Sequence, residues 1–253
     1  MAERRIVLVG VGRPDGVAMA IAERLRDDGA ALIVADVSPG RAEAAARSLG
    51  CAHQVCDITL EASIAALAAR CAEDGPLDAV VNAVGWSPPR RIEAFDAAFI
   101  RQMADVNYVG PALLLAKLAP HIRAFGSYLQ LSTRSAYDAT PKTVAYSAAK
   151  LAMDRLLRGA AIEFSPRRLR ANGLCISIVI TPSGRADMIA DGLDPELYER
   201  EFVALTPLGR LATPADVASL AAFMLSDGYF ETGQVLNCTG GGALRGKPDI
   251  MFP

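Results

Sequence analysis

Hydrophobic positions fall along this chain in two alternating rhythms. Ile6-Val7-Leu8-Val9 is an unbroken apolar run of strand length, the pattern of a strand covered on both faces. Ala18, Ile21, Ala22 and Leu25 then recur at helical spacing, and Gly29 stops that helix. Leu32-Ile33-Val34 reads as a second strand, followed by an Ala-rich helix from about Arg41 to Leu49. A third short strand runs into Val55, and a helix covers about Leu60 to Ala72. Ala79 to Val84 makes a fourth strand and Tyr128 to Leu131 a fifth. Between them Phe99, Met103, Val106 and the Leu113 to Leu118 region read as one long or broken helix. A helix from about Ala145 to Phe164, a strand from Leu174 to Ile180, a helix from Pro214 to Leu225 and a last strand at Val235-Leu236 complete the pattern.

Strand and helix in alternation imply right-handed crossovers. The expected fold is therefore α/β: a doubly wound, seven-stranded parallel sheet of Rossmann type in three αβα layers. With no internal repeat, low-complexity tract or linker, residues 1–253 are expected to form a single domain. The stretch from Pro182 to Arg210 differs, being rich in Pro, Gly and charge with scattered Met188, Ile189, Tyr198 and Phe202. A connection that long between core elements is expected to act as a substrate lid, at about 182–210.

Composition narrows the class. Hydrophobic residues make up 52% of the chain and charged residues 21%, which excludes disorder. Basic and acidic residues nearly balance, 26 against 28, so nothing here marks a nucleic-acid partner. The cysteines, Cys51, Cys56, Cys71, Cys175 and Cys238, include no Cys-x-x-Cys pair, and neither His53 nor His121 stands at ligand spacing from them. No metal site is expected, and the thiols read as reduced, buried groups of a cytoplasmic protein. No apolar run approaches the ~20 residues of a membrane span.

Two clusters carry chemistry. Gly12-Arg13-Pro14-Asp15-Gly16-Val17-Ala18 follows the first strand and opens a helix, where glycines let the backbone approach a pyrophosphate and the helix end offers unpaired N–H groups. Asp36 closes the second strand twenty positions after Gly16, where a carboxylate would accept from an adenosine ribose and repel a 2′-phosphate. Asp15 carries the same sign, and Arg13 is the one nearby cation that would act against it, so NAD(H) is the expected cofactor. The other cluster is Tyr146-Ser147-Ala148-Ala149-Lys150, which places a phenol and an ammonium one turn apart on a helix face. A cation there stabilises the phenolate, moving the tyrosine toward the range of a general acid or base. Together the clusters propose a hydride transfer beside a proton transfer.

From Ile6 to Gly241 the sequence resembles the short-chain dehydrogenases/reductases in their single-domain branch. The glycine turn and Tyr146/Lys150 carry the resemblance, with Asp57, Asn82-Ala83-Val84-Gly85, Asn107, Arg170-Ala171-Asn172, Thr181-Pro182, Gly209-Arg210, Pro214 to Ala218, Thr232-Gly233-Gln234 and Gly240-Gly241. It implies Tyr146 as the acid/base, and Lys150 as the residue that holds the nicotinamide ribose and depresses the tyrosine pKa. Asn107 would anchor a water linking Lys150 to solvent. Thr133, thirteen positions before the tyrosine, would polarise the carbonyl, with Ser132 and Ser135 as alternatives. Gly12, Arg13, Gly16, Val17, Asp36, Asp57, Ile58, Asn82, Ala83, Val179 and Thr181 would line the cofactor, together with Tyr146 and Lys150. Family members commonly form dimers or tetramers, which makes a homo-oligomer the expectation.

The sequence departs from the family at Val11, Ala18, Thr133 and Ile176-Ser177, the last in place of a Pro-Gly pair that turns the backbone under the nicotinamide. Enoyl reductases of the superfamily place tyrosine and lysine seven apart, but Thr143 stands at that position here. Trp86, Arg134 and Tyr137 are expected on the substrate wall, with Arg134, Arg90 and Arg91 as a possible anion clamp. The expected activity is NAD-dependent interconversion of a small secondary alcohol and a ketone. The alternatives are an isomerase or dehydratase on the same scaffold, or a nucleotide-binding protein without turnover.

Overall fold

The computed structural model describes residues 4–246 and residue 248. Its sheet has seven strands: β1 (Arg4–Val9), β2 (Ala30–Asp36), β3 (Ala52–Val55), β4 (Leu77–Asn82), β5 (Ile122–Thr133), β6 (Arg170–Ile176) and β7 (Val235–Cys238). All pairs are parallel, in the order β3-β2-β1-β4-β5-β6-β7. Strand order reverses between β1 and β4, and in a sheet of this kind a crevice opens there at the carboxyl edge.

Side chains of β1 alternate between the faces, and each face has its own core. Ile6 and Leu8 pack with Ile21 and Leu25 of α1 (Val17–Asp27), Leu49 of α2 (Pro39–Leu49) and Val217 and Ala221 of the carboxyl-terminal helix, Pro214–Leu225. Val7 and Val9 pack with Ile64 and Leu67 of α3 (Glu61–Ala72) and, further along the chain, Leu114, Leu118, Met153 and Leu157. An apolar run without alternation is thus what a strand buried on both sides requires.

Leu114 and Leu118 lie on one long, interrupted helix. It consists of α4 (Ala97–Ala104), a π-helical turn at Asp105–Val109 and α5 (Gly110–Leu118). The turn is closed by the Gly110 N–H donating to the Asp105 carbonyl. Then come α6 (Val144–Glu163), α7 (Pro182–Ala190), α8 (Pro195–Ala204) and α9, the Pro214–Leu225 helix. Thr213 caps α9 through a reciprocal box with Asp216. Among the described residues no helix is long and apolar enough to cross a membrane.

The structure departs from the sequence reading at two strands. β5 begins at Ile122, well before Tyr128, because exposed residues and a left-handed Phe125 (φ 65°) bend its first half, where the register against β4 shifts. β6 begins at Arg170 and ends at Ile176. Its polar residues are satisfied inside the fold: Arg170 donates to the Met224 and Tyr229 carbonyls, and Asn172 bonds the Glu231 carbonyl and the Gln234 N–H. The residues after Ile176 leave the sheet.

The π turn fits only because residue 110 has no side chain. A Cβ there would sit 2.4 Å from the Ile58 carbonyl oxygen and 2.9 Å from that of Asp105. Both obstacles are backbone, so the long helix would have to move. Gly110→Ala is expected to destabilise the fold by about 1–3 kcal/mol, read as a lower urea midpoint; an unchanged midpoint would show the helix free to shift.

Candidate active site

The glycine turn hangs on the ends of β1 and β2. Gly10 (φ 83°) donates from its N–H to the Ala35 carbonyl, and a Cβ at Gly10 would lie 2.8 Å from Val84 Cγ2. Gly12 (φ 71°) donates its N–H to Asp36 Oδ2 at 2.9 Å. Gly16 caps α1, and a Cβ there would meet the Arg13 carbonyl oxygen at 3.0 Å. Backbone conformation and space both call for glycine, which leaves a bare cradle at the start of α1, whose first residue is Val17. Asp36 is 4% exposed; its Oδ1 accepts the Ser38 N–H at 2.9 Å, and the carboxylate keeps lone pairs for further donors. These groups fit an adenosine ribose and a pyrophosphate.

The cations near Asp36 differ from the sequence expectation. Arg13 points across the cleft to Asp187 of α7, bonding it at 2.7 and 3.2 Å. Arg41, in the first turn of α2, comes within 4.0 Å of Asp36 Oδ1 instead. Asp15 also reaches α7: its two oxygens accept the Ser183 N–H at 2.6 Å and the Ser183 hydroxyl at 2.7 Å. Two polar contacts therefore clasp the glycine turn to the amino end of α7, which Thr181 caps through the Gly184 N–H.

At the ends of β4 and β5 the structure brings Thr133, Tyr146 and Lys150 together. Lys150 is 2% exposed and donates from Nζ to the Val84 carbonyl at 2.8 Å and the Leu131 carbonyl at 3.0 Å. Burial pulls its pKa down to about 8, with Asp154 acting the other way. Burial pushes the Tyr146 phenol up to about 12, against a hydrogen bond with the Thr133 side chain that lowers it, so the phenol stands above its ordinary value and not below it as the resemblance implies. Lys150 Nζ stands 5.9 Å from the Tyr146 ring centre. Gly85 looks onto both groups, since a Cβ there would be 3.5 Å from Nζ and 3.8 Å from the phenol oxygen. Thr133 Oγ1 accepts the Ser135 N–H at 3.2 Å, leaving the hydroxyl proton to be donated elsewhere.

Other expected residues take structural positions. Asn107, in the π turn, is fully buried; Oδ1 accepts the Trp86 N–H at 3.1 Å, and Nδ2 donates to the Trp86 and Met103 carbonyls. It thereby fixes the loop that presents Trp86, which is 42% exposed. Asn82 is fully buried, its side chain spanning Gln130 Oε1 and the Val84 N–H, so only its backbone faces the crevice edge. Asp57 holds its own turn through Thr59, and Ile58 is buried beneath Gly110. Ala83, Val179 and Thr181 lie partly buried in the loops after β4 and β6. Ser132 faces away from the cleft, with its hydroxyl on Asp154 at 2.5 Å, which leaves Thr133 as the hydroxyl beside Tyr146.

The arginine clamp is not assembled. Arg134 is 3% exposed, ion-paired to Asp138 and hydrogen-bonded to the Gly246 carbonyl. It ties the carboxyl-terminal segment to the turn after β5 and also lines the cavity beside Thr133. Arg90 pairs with Asp96 and lies 4.1 Å over the Phe99 ring. Tyr137 is half exposed, and its hydroxyl donates to Asp154 Oδ2 at 2.8 Å. The chain leaves β6 at Ile176-Ser177, earlier than the sequence reading places the end of the strand, and none of residues 176–181 has positive φ, so no glycine is needed there. A cavity of about 210 Å³ opens beside Thr133, bounded by Ser135, Thr143, Ser177, Ile178 and Phe202.

Sequence reasoning missed Gly10, Gly85 and Arg41 as site residues. Gly10 was signalled by standing directly after β1, and Gly85 by closing the Asn82-Ala83-Val84-Gly85 motif at the end of β4. Arg41 was signalled by its place in the first turn of the helix that follows Asp36.

A family model described as enoyl-(acyl carrier protein) reductase matches residues 10–242. The chain belongs to the short-chain dehydrogenase/reductase family. L-fucose dehydrogenase of Oryctolagus cuniculus is 31% identical, over 97% of this chain and 88% of that protein. Cis-4-hydroxycyclohexanecarboxylate dehydrogenase of Sinomonas cyclohexanicum is 32% identical, over 93% and 95%. Among solved structures, a short-chain type dehydrogenase/reductase from Mycobacterium ulcerans superimposes with a TM-score of 0.88 at 27% identity, covering 98% of this chain and 94% of that one. The 3-ketoacyl-(acyl-carrier-protein) reductase from Brucella melitensis, complexed with NADH, gives 0.83 at 25%, covering 96% and 100%. The match to such dehydrogenases makes this short-chain dehydrogenase/reductase an oxidoreductase, of a family that uses nicotinamide cofactors.

Lys150 in this short-chain dehydrogenase/reductase leaves a signature in stability. Its folded pKa, about 8, lies below the unfolded value of 10.5, so between those values the unfolded chain binds the extra proton. The penalty of burying the charge is complete below pH 8 and fades as pH rises to 10.5. Lys150→Met escapes that penalty. The melting-temperature difference, variant minus wild type, should therefore move against the variant across this window in calorimetry. A difference flat with pH would mean that the ammonium is not desolvated.

Proposed function

We propose that the protein interconverts a small secondary alcohol and a ketone with NAD(H), Tyr146 serving as the acid/base. The observation that carries this reading is the meeting of Thr133, Tyr146 and Lys150 at one point of the carboxyl edge, beside a glycine cradle that ends in Asp36. A bound nicotinamide would supply the hydride acceptor of alcohol oxidation and the donor of ketone reduction. Tyr146 would take the hydroxyl proton as the alcohol is oxidised, and return it in the other direction. Thr133, its oxygen already holding the Ser135 N–H, would donate to the substrate oxygen and fix its position. Lys150 would hold the ribose and favour the phenolate, with its charge kept from water by the Val84 and Leu131 carbonyls.

NAD(H) rather than the 2′-phosphorylated form is favoured by the buried Asp36 carboxylate and by the engagement of Arg13 with Asp187. Arg41 is the cation that would weaken this preference. The small cavity, lined by hydroxyl side chains, Arg134 and the apolar Ile178 and Phe202, fits a compact ring or polyhydroxy alcohol. The fucose and hydroxycyclohexanecarboxylate dehydrogenases are named for substrates of that kind. We further propose that the Pro182–Arg210 stretch, where α7 is clasped to Arg13 and Asp15, acts as the lid.

Titration by nicotinamide fluorescence tests the cofactor. NADH should bind more tightly than NADPH, and Asp36→Ala should weaken NADH and narrow the gap. Equal binding of both by the wild type would overturn the assignment. In a screen of small cyclic alcohols with NAD, Tyr146→Phe should lower kcat/KM by about 10²–10⁴-fold while leaving NADH binding in place. Retained turnover in that variant would remove Tyr146 from the chemistry.

A further inference from the structure

Behind the proposed acid/base lies a carboxylate that the mechanism above does not use. Asp154 sits on α6 one turn beyond Lys150 and two beyond Tyr146, and is 3% exposed. Its Oδ2 accepts from the Ser132 hydroxyl at 2.5 Å and from the Tyr137 hydroxyl at 2.8 Å. Its Oδ1 is buried without a hydrogen-bond partner among the described residues and lies 3.4 Å from where a Cβ of Gly173 would be. A buried carboxylate left half unserved is expensive, because its desolvation is only partly offset. An amide or an apolar group of the same shape would cost less, so the position calls for a reason in charge.

The neighbours supply one. Ser132 stands on β5 between Leu131, whose carbonyl holds Lys150, and Thr133, whose hydroxyl meets Tyr146. Tyr137 forms the half-exposed wall after β5 and is fastened by its hydroxyl to the same oxygen. Lys150 is given neutral carbonyls as direct partners, and the anion acting on it through space is Asp154. We propose that Asp154 is the positioning residue of this site: its buried charge opposes the Lys150 ammonium, and its Oδ2 anchors Tyr137 to the pocket wall.

The groups facing Asp154 are Tyr146, Lys150 and Arg158 from its own helix, Tyr137 and Ser132 from β5 and the turn after it, and Cys175 from β6 by way of Tyr137 and Tyr146. Burial raises the Asp154 pKa, while Ser132, Tyr137, Lys150 and Arg158 lower it. Ionised, Asp154 favours protonated Lys150 and also protonated Tyr146. Removing the charge must therefore lower both midpoints together. That direction separates a charge role from loosened packing, which would have no common sign.

The proposal rests on the dehydrogenase reading for its place in catalysis, but its test does not need a known substrate. Protein labelled with ¹³C at lysine Cε carries four lysine signals, and Lys150→Arg assigns the one in the site. The Lys150 signal should titrate near pH 8 in wild type and at lower pH in Asp154→Asn, with its acid dissociation constant raised about tenfold. Should Asp154→Asn fail to fold by circular dichroism, Asp154→Leu serves. It removes the charge together with the unpartnered oxygen and should move Lys150 the same way. An unshifted Lys150 in a folded Asp154→Asn protein overturns the proposal. Once an alcohol is in hand, both limbs of the oxidation pH profile should move to acid in Asp154→Asn. A shifted Lys150 in a protein that oxidises no alcohol would count against the dehydrogenase reading and leave the coupling of Asp154 to Lys150 standing.

Discussion

An ammonium held inside the protein, with backbone carbonyls as its direct partners, organises the carboxyl edge of this sheet. Lys150 reaches from α6 to the Val84 carbonyl after β4 and to the Leu131 carbonyl within β5. Burying such a charge is unfavourable unless donors and acceptors are placed in advance, so the helix, the loop after β4 and the strand must keep fixed relative positions. Everything around it follows from that requirement. Gly85 stays bare because lysine and tyrosine both approach it, and Asn107 grips both sides of the Trp86 peptide to hold the next stretch of the same loop. Asn82 at the end of β4 bonds Gln130 within β5, two residues before the Val84 carbonyl and one before that of Leu131.

The π turn at Asp105–Val109 is part of the same device. An uninterrupted α-helix has no slack with which to turn Asn107 toward Trp86 while keeping Leu114 and Leu118 in the core. One wide turn changes the phase of the helix at that point. Gly110 lets the wide turn lie directly on the Ile58 carbonyl. The core on this face of the sheet is thus joined to the site by backbone geometry as well as by side chains.

How much of this was legible in the sequence depended on the kind of signal. The apolar runs of β1 and β2 and the α9 helix, read from Pro214 to Leu225, needed no help, since burial on both faces leaves little else for those residues to do. The starts of β5 and β6 were hidden because Arg123, Arg170 and Asn172 look like loop residues until their long-range partners are known. The glycine turn and Tyr146/Lys150 were visible through their spacing. The fates of Arg134 and Arg13 were not, because each is claimed by an acid whose proximity only the folded chain reveals: Asp138 one helical turn on, and Asp187 far along the sequence. Asp154 showed no motif at all, because its meaning lies in the strands that enclose it.

The clasp between the glycine turn and α7 carries a kinetic consequence. On the lid reading proposed above, a large molecule passing beneath it would have to break the Arg13–Asp187 pair and lift Ser183 from Asp15. Arg13 and Asp187 are both substantially exposed, so their attraction is screened by dissolved ions, whereas the Lys150 contacts deeper in are shielded from them. Ionic strength would then act on the dwell time of a bound molecule and leave the chemical step beneath it nearly untouched. The same protein would hold its cofactor for longer in dilute buffer than in brine.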